Sequence, residues 1–366
     1  MPVRREGRAG LDGGAMTIET SFHASELRRE LGLRNRFWAR GRAHVESYGN
    51  PPVIVYGPEV ERHGNFFDPS YSAIAARPEW MRRFDKIHAQ GRSLPKAESD
   101  RRWRELDSSM SSDALLMNVF CAPGVAESPA VRRALGIEGE EPPAFGWKAR
   151  VPLANGRSDR TEVDMRWGGL LVESKLTEGD FQAKSAAVVE AYRDFDAVFE
   201  RELLPRVPLR IRRRREPAEF PEDYSQEYED LGDGRDLWNL GNQSNVLTAE
   251  STFRQTMPPT ERTSPADFES AYESYQLIRN VLAAHAGGES FCVIHDGRRP
   301  DLREAWFRVL AAVRSAALRV RLKVLTWQEL APLLPEDLQQ FLDWKYGIVA
   351  AGRTASPLGQ GAEPDI

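Results

Sequence analysis

The chain has 366 residues, of which 41% are hydrophobic and 29% charged, and its formal net charge is −5. This length suits one large domain or two ordinary ones, and the composition excludes wholesale disorder. No apolar run approaches the roughly 20 residues of a membrane span, and the N-terminus lacks the apolar core of a secretory signal. We therefore predict a cytoplasmic protein with no membrane partner. The small negative charge argues against bulk coating of nucleic acid but leaves room for a local basic face.

By composition the chain divides into three parts. Residues 1–20 are rich in glycine and arginine and predict a flexible N-terminal arm, and residues 351–366 predict a flexible tail. Residues 21–350 predict one domain that begins with a helical extension. At about 204–265 prolines, an arginine run and an acidic stretch interrupt the pattern, which indicates an insertion.

The first half of the domain predicts helices and then strands. Ala76–His88 contains a helix-like stretch that starts near Pro78, and Asp100–Phe120 is more clearly helical. Ser111 or Ser112 offers an N-cap before the apolar part of that second helix.

Three predicted strands follow: Phe145–Leu153, Thr161–Trp167 and Leu170–Leu176. Asn155-Gly156 is a strong turn signal after the first strand, and Gly168-Gly169 closes the second. Short loops between successive strands favour an antiparallel meander.

The second half predicts alternating helices and strands. Phe181–Leu203 has the spacing of a helix with one buried stripe. The later predicted elements are a helix at Asp267–Ala286, a strand at Ser290–His295, a helix at Asp301–Leu318, a strand at Val320–Leu325 and two short helices at Gln328–Leu334 and Glu336–Tyr346. This order predicts an α/β domain with a mixed central sheet flanked by helices.

The second and third predicted strands carry the residues that suggest chemistry. Side chains alternate along a strand, so Glu173 and Lys175 project to the same side. If Gly168-Gly169 reverses the chain, Asp164 lies close to Glu173. Two neighbouring carboxylates repel unless a cation neutralises them, and Mg²⁺ accepts one or two carboxylates while keeping sites for water and phosphate. We therefore expect Mg²⁺, with Mn²⁺ as a substitute, at Asp164 and Glu173, and expect Lys175 to stabilise developing negative charge.

Asp164 followed by Glu173-Ser174-Lys175 resembles the D…(D/E)-x-K signature of the PD-(D/E)XK nucleases. The signature lies on the second and third strands, where that family carries it, and the element order resembles the family's αβββαβ core. Val163 stands where many members have proline. The runs Ser111–Asn118, Val172–Glu178 and Tyr275–Leu277 with Arg279 resemble a bacterial restriction-endonuclease-like group.

The resemblance implies a restriction-endonuclease-like fold and catalytic roles for Asp164, Glu173 and Lys175. It further implies a metal-dependent endonuclease that hydrolyses phosphodiester bonds in DNA, in a restriction, defence or repair setting. RNA stays open as a substrate, and a homodimer would suit cleavage of both strands of a duplex. The run Arg210–Arg215 is a candidate for phosphate contact, although the acidic stretch after it could neutralise that charge.

Each candidate residue also has a simpler interpretation. The three signature residues could form a surface salt-bridge ladder, but the strand around them is otherwise apolar. Asp113 is either a third metal ligand from the first core helix or a carboxylate favoured by the helix dipole. Glu162 either assists the metal or faces solvent, and Gln276 either reaches the site or packs; we favour the second interpretation for both.

Other classes of function are less consistent with the sequence. A catalytically silent nuclease-fold protein that binds nucleic acid or a protein partner is the first alternative, and a carboxylate-based hydrolase of sugars or nucleotides is the second. The six histidines lack paired ligand spacing, and Cys121 and Cys292 are better explained as buried free thiols than as a zinc site. No Walker-type phosphate loop or serine nucleophile elbow occurs.

Overall fold

A computed structural model of the protein describes residues 24–47, 52–87, 104–160, 162–210 and 268–357. The β-strands are β1 (His44–Glu46), β2 (Ile54–Tyr56), β3 (Ala144–Lys148), β4 (Val151–Pro152), β5 (Ser158–Asp159), β6 (Glu162–Trp167), β7 (Leu170–Ser174), β8 (Lys184–Ser185), β9 (Arg206–Arg210), β10 (Phe268–Tyr272), β11 (Ser290–His295) and β12 (Leu322–Thr326). The α-helices are α1 (Ala24–Trp38), α2 (Asp68–Ala75), α3 (Pro78–Met81), α4 (Ser112–Phe120), α5 (Pro129–Leu135), α6 (Ala186–Val189), α7 (Phe195–Val198), α8 (Tyr275–Gly287), α9 (Pro300–Ala311), α10 (Ala316–Arg319), α11 (Trp327–Leu330) and α12 (Glu336–Tyr346).

The centre of the fold is a five-stranded sheet in the order β12-β11-β7-β6-β3. The strands β3, β6 and β7 form the predicted antiparallel meander. The connection between β6 and β7 is short, whereas the segment between β3 and β6 contains the antiparallel pair of β4 and β5. The strand β11 is parallel to both β7 and β12, and such pairs need crossover connections, which here include α8 and α9. The mixed sheet flanked by helices confirms the predicted restriction-endonuclease-like fold class.

Both faces of this sheet are buried in hydrophobic cores. Leu171 and Val293 pack on one face with apolar residues of α8 and α9. Val172 and Ile294 pack on the other face with residues of α4, α11 and α12. Because both faces are covered, β7 and β11 are nearly continuous apolar runs, and a charged residue within β7 needs a partner.

The N-terminal extension contributes to the core of the fold. A third hydrophobic cluster joins α2 and α3 to α4, including Ile74, Trp80 and Met117. Cys121 belongs to this cluster and Cys292 to the second core, and both are free and buried, as predicted. Ser111 caps α4 through a hydrogen bond that its side chain accepts from the backbone N–H of Ala114, which confirms one of the two predicted caps.

The prediction of one helix over Phe181–Leu203 is wrong. This segment consists of β8, the single turns α6 and α7, and a 3₁₀ turn at Arg201–Leu203. Gln182 has a positive φ of 62°, and Tyr192 and Phe199 form isolated bridges to Leu153 and Val313. The predicted apolar stripe is nevertheless buried, because turns packed on one core can repeat the spacing of a helix.

Two other predicted helices are broken by the tertiary structure. Asp267–Ala286 contains β10 before α8, since β10 pairs with β9, which comes from a distant part of the chain. The predicted helix over Asp301–Leu318 stops at Ala311, and α10 begins afresh behind the cap Ser315. The helix predicted within Asp100–Phe120 begins only at Ser112 in the described part.

Several predicted segments lie outside the described residues. They are the N-terminal arm at 1–20, positions 358–366 of the tail, and positions 211–267, which include most of the predicted insertion and the arginine run after Arg210. Arg210 itself is the last residue of β9. Within the part that the structure describes, no helix is long and apolar enough to cross a membrane.

Lys345 on α12 is fully buried against α1. Its Nζ donates a hydrogen bond to Asn35 Oδ1 at 2.5 Å and lies 4.9 Å and 4.6 Å from the ring centres of Tyr56 and Tyr346. Burial, aided by the nearby charge of Arg42, lowers the pKa of Lys345 well below its ordinary value of 10.5.

We expect Lys345→Met to change how stability depends on pH. Between the two pKa values the unfolded lysine keeps a proton that the folded lysine releases. The free energy of unfolding of the wild type, relative to the variant, should therefore rise as the pH rises toward 10.5 and decrease as the pH is lowered. Thermal midpoints of both proteins between pH 7 and pH 10.5 measure the difference. Lys148→Met, which removes an exposed lysine, serves as the control. Parallel pH profiles for wild type and Lys345→Met would contradict the prediction.

Candidate active site

The antiparallel pairing of β6 and β7 brings the signature residues together. Met165 lies opposite Val172, and continuing this register by one residue places Asp164 opposite Glu173. The Oδ2 atom of Asp164 accepts a hydrogen bond of 2.7 Å from the backbone N–H of Ser174. The carboxylate of Asp164 is therefore anchored beside the strand that carries Glu173.

Glu173 and Lys175 form a buried ion pair. Lys175 Nζ donates to Glu173 Oε1 at 2.7 Å, and both side chains are almost fully buried. The second oxygen, Oε2, accepts a hydrogen bond of 2.8 Å from Asn280 Nδ2 on α8. Lys175 stays in line with the sheet because its backbone N–H donates to the carbonyl of Ile294. Both oxygens of Glu173 thus have partners, which a buried carboxylate requires.

The site concentrates negative charge around Asp164. Burial, the neighbouring Glu173 and then Asp113 raise the pKa of Asp164 well above its ordinary value of 3.8. Burial alone would lower the pKa of Lys175, but the carboxylates around it, Glu173 first, outweigh burial and raise it. The lysine is therefore held as a cation, whereas burial and the neighbouring carboxylates favour the protonated form of Asp164.

A second charged cluster lies beside the signature residues and contains the other two predicted acidic positions. Asp113, at the start of α4, accepts hydrogen bonds on Oδ2 from Arg83 Nη2 at 2.7 Å and Lys86 Nζ at 2.9 Å. Glu162, at the start of β6, receives Arg83 Nη1 at 2.6 Å and lies 3.2 Å from Lys86 Nζ. Glu162 is half-buried and paired, so the favoured interpretation that it simply faces solvent does not describe its position.

This charge balance fixes the ionisation of Asp113. Burial alone would raise the pKa of Asp113, but Lys86 and Arg83 outweigh burial and lower it well below its ordinary value. The Oδ2 atom of Asp113 is already bonded to two cationic side chains. A role of Asp113 as a third metal ligand stays a prediction.

The first turns of α8 support the site from behind. Arg279 Nη2 donates to the backbone carbonyl of Glu162 at 3.1 Å and to Asn280 Oδ1 at 3.2 Å. Gln276 is partly buried, and its Oε1 atom finds no hydrogen-bond partner within the described ranges. One helix thus ties β6 to the Glu173–Lys175 pair through Arg279 and Asn280.

Several residues of the site were not found from the sequence. Arg83 and Lys86 lie some 80 positions before β6, and Asn280 has no motif of its own beyond its place after Arg279. Glu178 accepts hydrogen bonds from Ser112 Oγ at 2.5 Å and from the backbone N–H of Leu176 at 2.7 Å. Glu178 belonged to one of the runs that carried the family resemblance, but Arg83, Lys86 and Asn280 did not.

The donor set fits one hard divalent cation. Asp164 and Glu173 offer carboxylate oxygens from adjacent strands. Burial first, and then the neighbouring carboxylates, raise the pKa of Asp164, and a bound cation would oppose that shift. Mg²⁺ binds through one or two carboxylates and completes its shell with water and substrate oxygens. Among the described residues, no group of three or more histidine, cysteine, aspartate or glutamate side chains is arranged to hold a metal ion. The fit therefore rests on the two carboxylates.

Comparison with known proteins identifies a family. No curated protein and no solved structure matches the chain. A family model described as "Restriction Endonuclease associating with ARP" matches residues 37–347, which include the sheet, both charged clusters and α12. The match confirms the predicted restriction-endonuclease-like group. The chain belongs to the family of restriction endonucleases associating with ARP.

Proposed function

We propose that the protein is a metal-dependent endonuclease that hydrolyses phosphodiester bonds in DNA. The observation that carries the proposal is the convergence of Asp164, Glu173 and Lys175 where β6 and β7 meet. Membership of a restriction-endonuclease family supports the reaction class. The word "restriction" in its description supports a restriction or defence setting, in which the chain acts with ARP.

In this proposal Asp164 and Glu173 hold Mg²⁺, or Mn²⁺ in its place. The bound ion would supply a more acidic water and neutralise charge on the phosphate. Anchoring of Asp164 by Ser174 and of Glu173 by Asn280 keeps both carboxylates oriented before an ion arrives. Such outer contacts hold ligands in place and tune their basicity.

Lys175 acts as an electrostatic catalyst. Its ammonium group is desolvated and kept charged by the surrounding carboxylates, Glu173 above all. A fixed cation in a site that excludes water interacts strongly with the negative charge that develops on the phosphate oxygens in the pentacoordinate transition state. The alternative of a sugar or nucleotide hydrolase leaves no comparable role for this buried lysine.

The test is cleavage of supercoiled plasmid, single-stranded DNA and RNA by the purified protein with Mg²⁺, Mn²⁺ or EDTA. We expect metal-dependent nicking of DNA that EDTA stops. Glu289→Gln is the matched control, because it removes a carboxylate paired with Arg166 on the same strand as Asp164 without touching the signature residues. This variant should keep cleaving.

Three outcomes would count against the proposal. Cleavage of RNA alone would replace DNA as the substrate, and equal cleavage in EDTA would remove the metal. A folded protein that cuts nothing, with or without its partner, would favour the catalytically silent alternative. Size measurement during cleavage also tests the predicted homodimer.

A further inference from the structure

The second charged cluster has the arrangement of a filled cation site. Asp113 Oδ2 and Glu162 Oε1 both lie within 3.2 Å of a single nitrogen, Lys86 Nζ. The same two oxygens receive one nitrogen each from the guanidinium of Arg83, at 2.7 Å and 2.6 Å. Two carboxylate oxygens from different elements thus converge on a common point, as they would around a divalent ion.

The charges in this cluster balance without a metal ion. Two carboxylates face one guanidinium and one ammonium; the side chains of Arg83 and Asp113 are buried, and those of Glu162 and Lys86 are partly exposed. Burial and the neighbouring Arg83 would lower the pKa of Lys86, but Asp113 first and Glu162 as well outweigh them and raise it. The Asp164 side chain also acts on Lys86, so this cluster and the signature residues share one electrostatic environment.

The fold leaves space for the guanidinium group of Arg83. Gly146 in β3 has a positive φ of 64°, and a β-carbon there would collide with Nη1 of Arg83. Any other residue would therefore push the guanidinium away from Glu162 and adopt a backbone conformation that L-residues disfavour. Arg83 and Lys86 both come from the N-terminal extension, whereas Asp113 and Glu162 come from the core helix α4 and the core strand β6.

We propose that Arg83 and Lys86 occupy the Asp113–Glu162 pair in place of a divalent ion, so that the site takes a single divalent ion, at Asp164 and Glu173. The location of that single ion rests on the proposed function; the occupation of Asp113 and Glu162 does not. Asp113 is then a positioning residue that holds Lys86 beside the reaction centre. The side chain of Lys86 is 37% exposed, and its ammonium is bonded to both carboxylates of the cluster.

Counting Mn²⁺ ions bound per chain, by electron paramagnetic resonance of free Mn²⁺ without DNA, tests the proposal. We expect one ion for the wild type and two for the double variant Arg83→Met/Lys86→Met, because the freed carboxylates then need a cation. Adding Asp113→Asn and Glu162→Gln to that double variant should restore a count of one. Two ions on the wild type, or no additional ion on the folded double variant, would overturn the proposal.

Asp113→Asn alone provides a second test if the double variant does not fold. We expect its Mn²⁺ affinity to stay within about threefold of the wild type, whereas loss of a true ligand costs at least the 10- to 100-fold typical of outer contacts. A loss of that size would overturn the proposal and restore Asp113 as a ligand. A wild type that binds no Mn²⁺, with a double variant that binds one ion, would contradict the metal-dependent nuclease but support the filled cation site.

Discussion

Lys175→Met should lower the rate of DNA cleavage by at least about 100-fold and destabilise the protein by about 3–5 kcal/mol. The loss of rate follows because methionine places no charge near the phosphate. The loss of stability follows because Glu173 would keep Asn280 as its neighbour but lose the cation that balances it in a buried site. Initial cleavage rates and denaturant unfolding measure the two effects separately.

The double variant Glu173→Gln/Lys175→Met separates catalysis from stability. Glutamine can still accept the hydrogen bond from Asn280 Nδ2, and no buried charge remains without a partner. We therefore expect the stability lost in Lys175→Met to be largely recovered, while cleavage stays absent. Lys323→Met is the control: it removes a lysine of the same sheet whose Nζ donates a hydrogen bond to the Leu135 carbonyl. A folded Lys175→Met protein that cleaves at the wild-type rate would show that the lysine is structural.

Asp164→Asn should abolish metal-dependent cleavage, by more than about 100-fold, yet stabilise the protein in EDTA at neutral pH. The folded-state pKa of Asp164 is raised above its ordinary value of 3.8, chiefly by burial and then by Glu173. The contribution of Asp164 to the free energy of unfolding is therefore fully present below pH 3.8 and is lost as the pH rises through the folded-state pKa. Asparagine is neutral throughout and retains an oxygen for the Ser174 N–H.

Thermal midpoints in EDTA at pH 4 and pH 7.5 test the sign of this effect. The advantage of Asp164→Asn over the wild type should appear at pH 7.5 and shrink at pH 4. Added Mg²⁺ should raise the midpoint of the wild type but not of the variant, because only the wild type binds the ion. A variant that is less stable than the wild type at pH 7.5 in EDTA would mean that the Asp164 carboxylate stabilises the fold, and that burial and the repulsion from Glu173 do not dominate.

Local patterns in the sequence were sufficient where the deciding interactions are themselves local. The antiparallel pairing of β6 and β7 follows from the short turn at Gly168-Gly169, and the cap of α4 follows from Ser111 ahead of an apolar stretch. Strand alternation likewise put Glu173 and Lys175 on the same side, where they meet at 2.7 Å. These features depend on residues within about ten positions of one another.

The tertiary structure alone decided features that depend on distant residues. The segment Phe181–Leu203 folds into turns because bridges to other parts of the chain compete with helical hydrogen bonds. The pairing of Arg83 and Lys86 with Asp113 and Glu162 joins residues 27 to 79 positions apart, and no spacing rule connects them. Sequence by itself identified the charged residues of β6 and β7, whereas packing determined which neighbours hold them and how their charges balance, because burial and Coulomb interactions act through space.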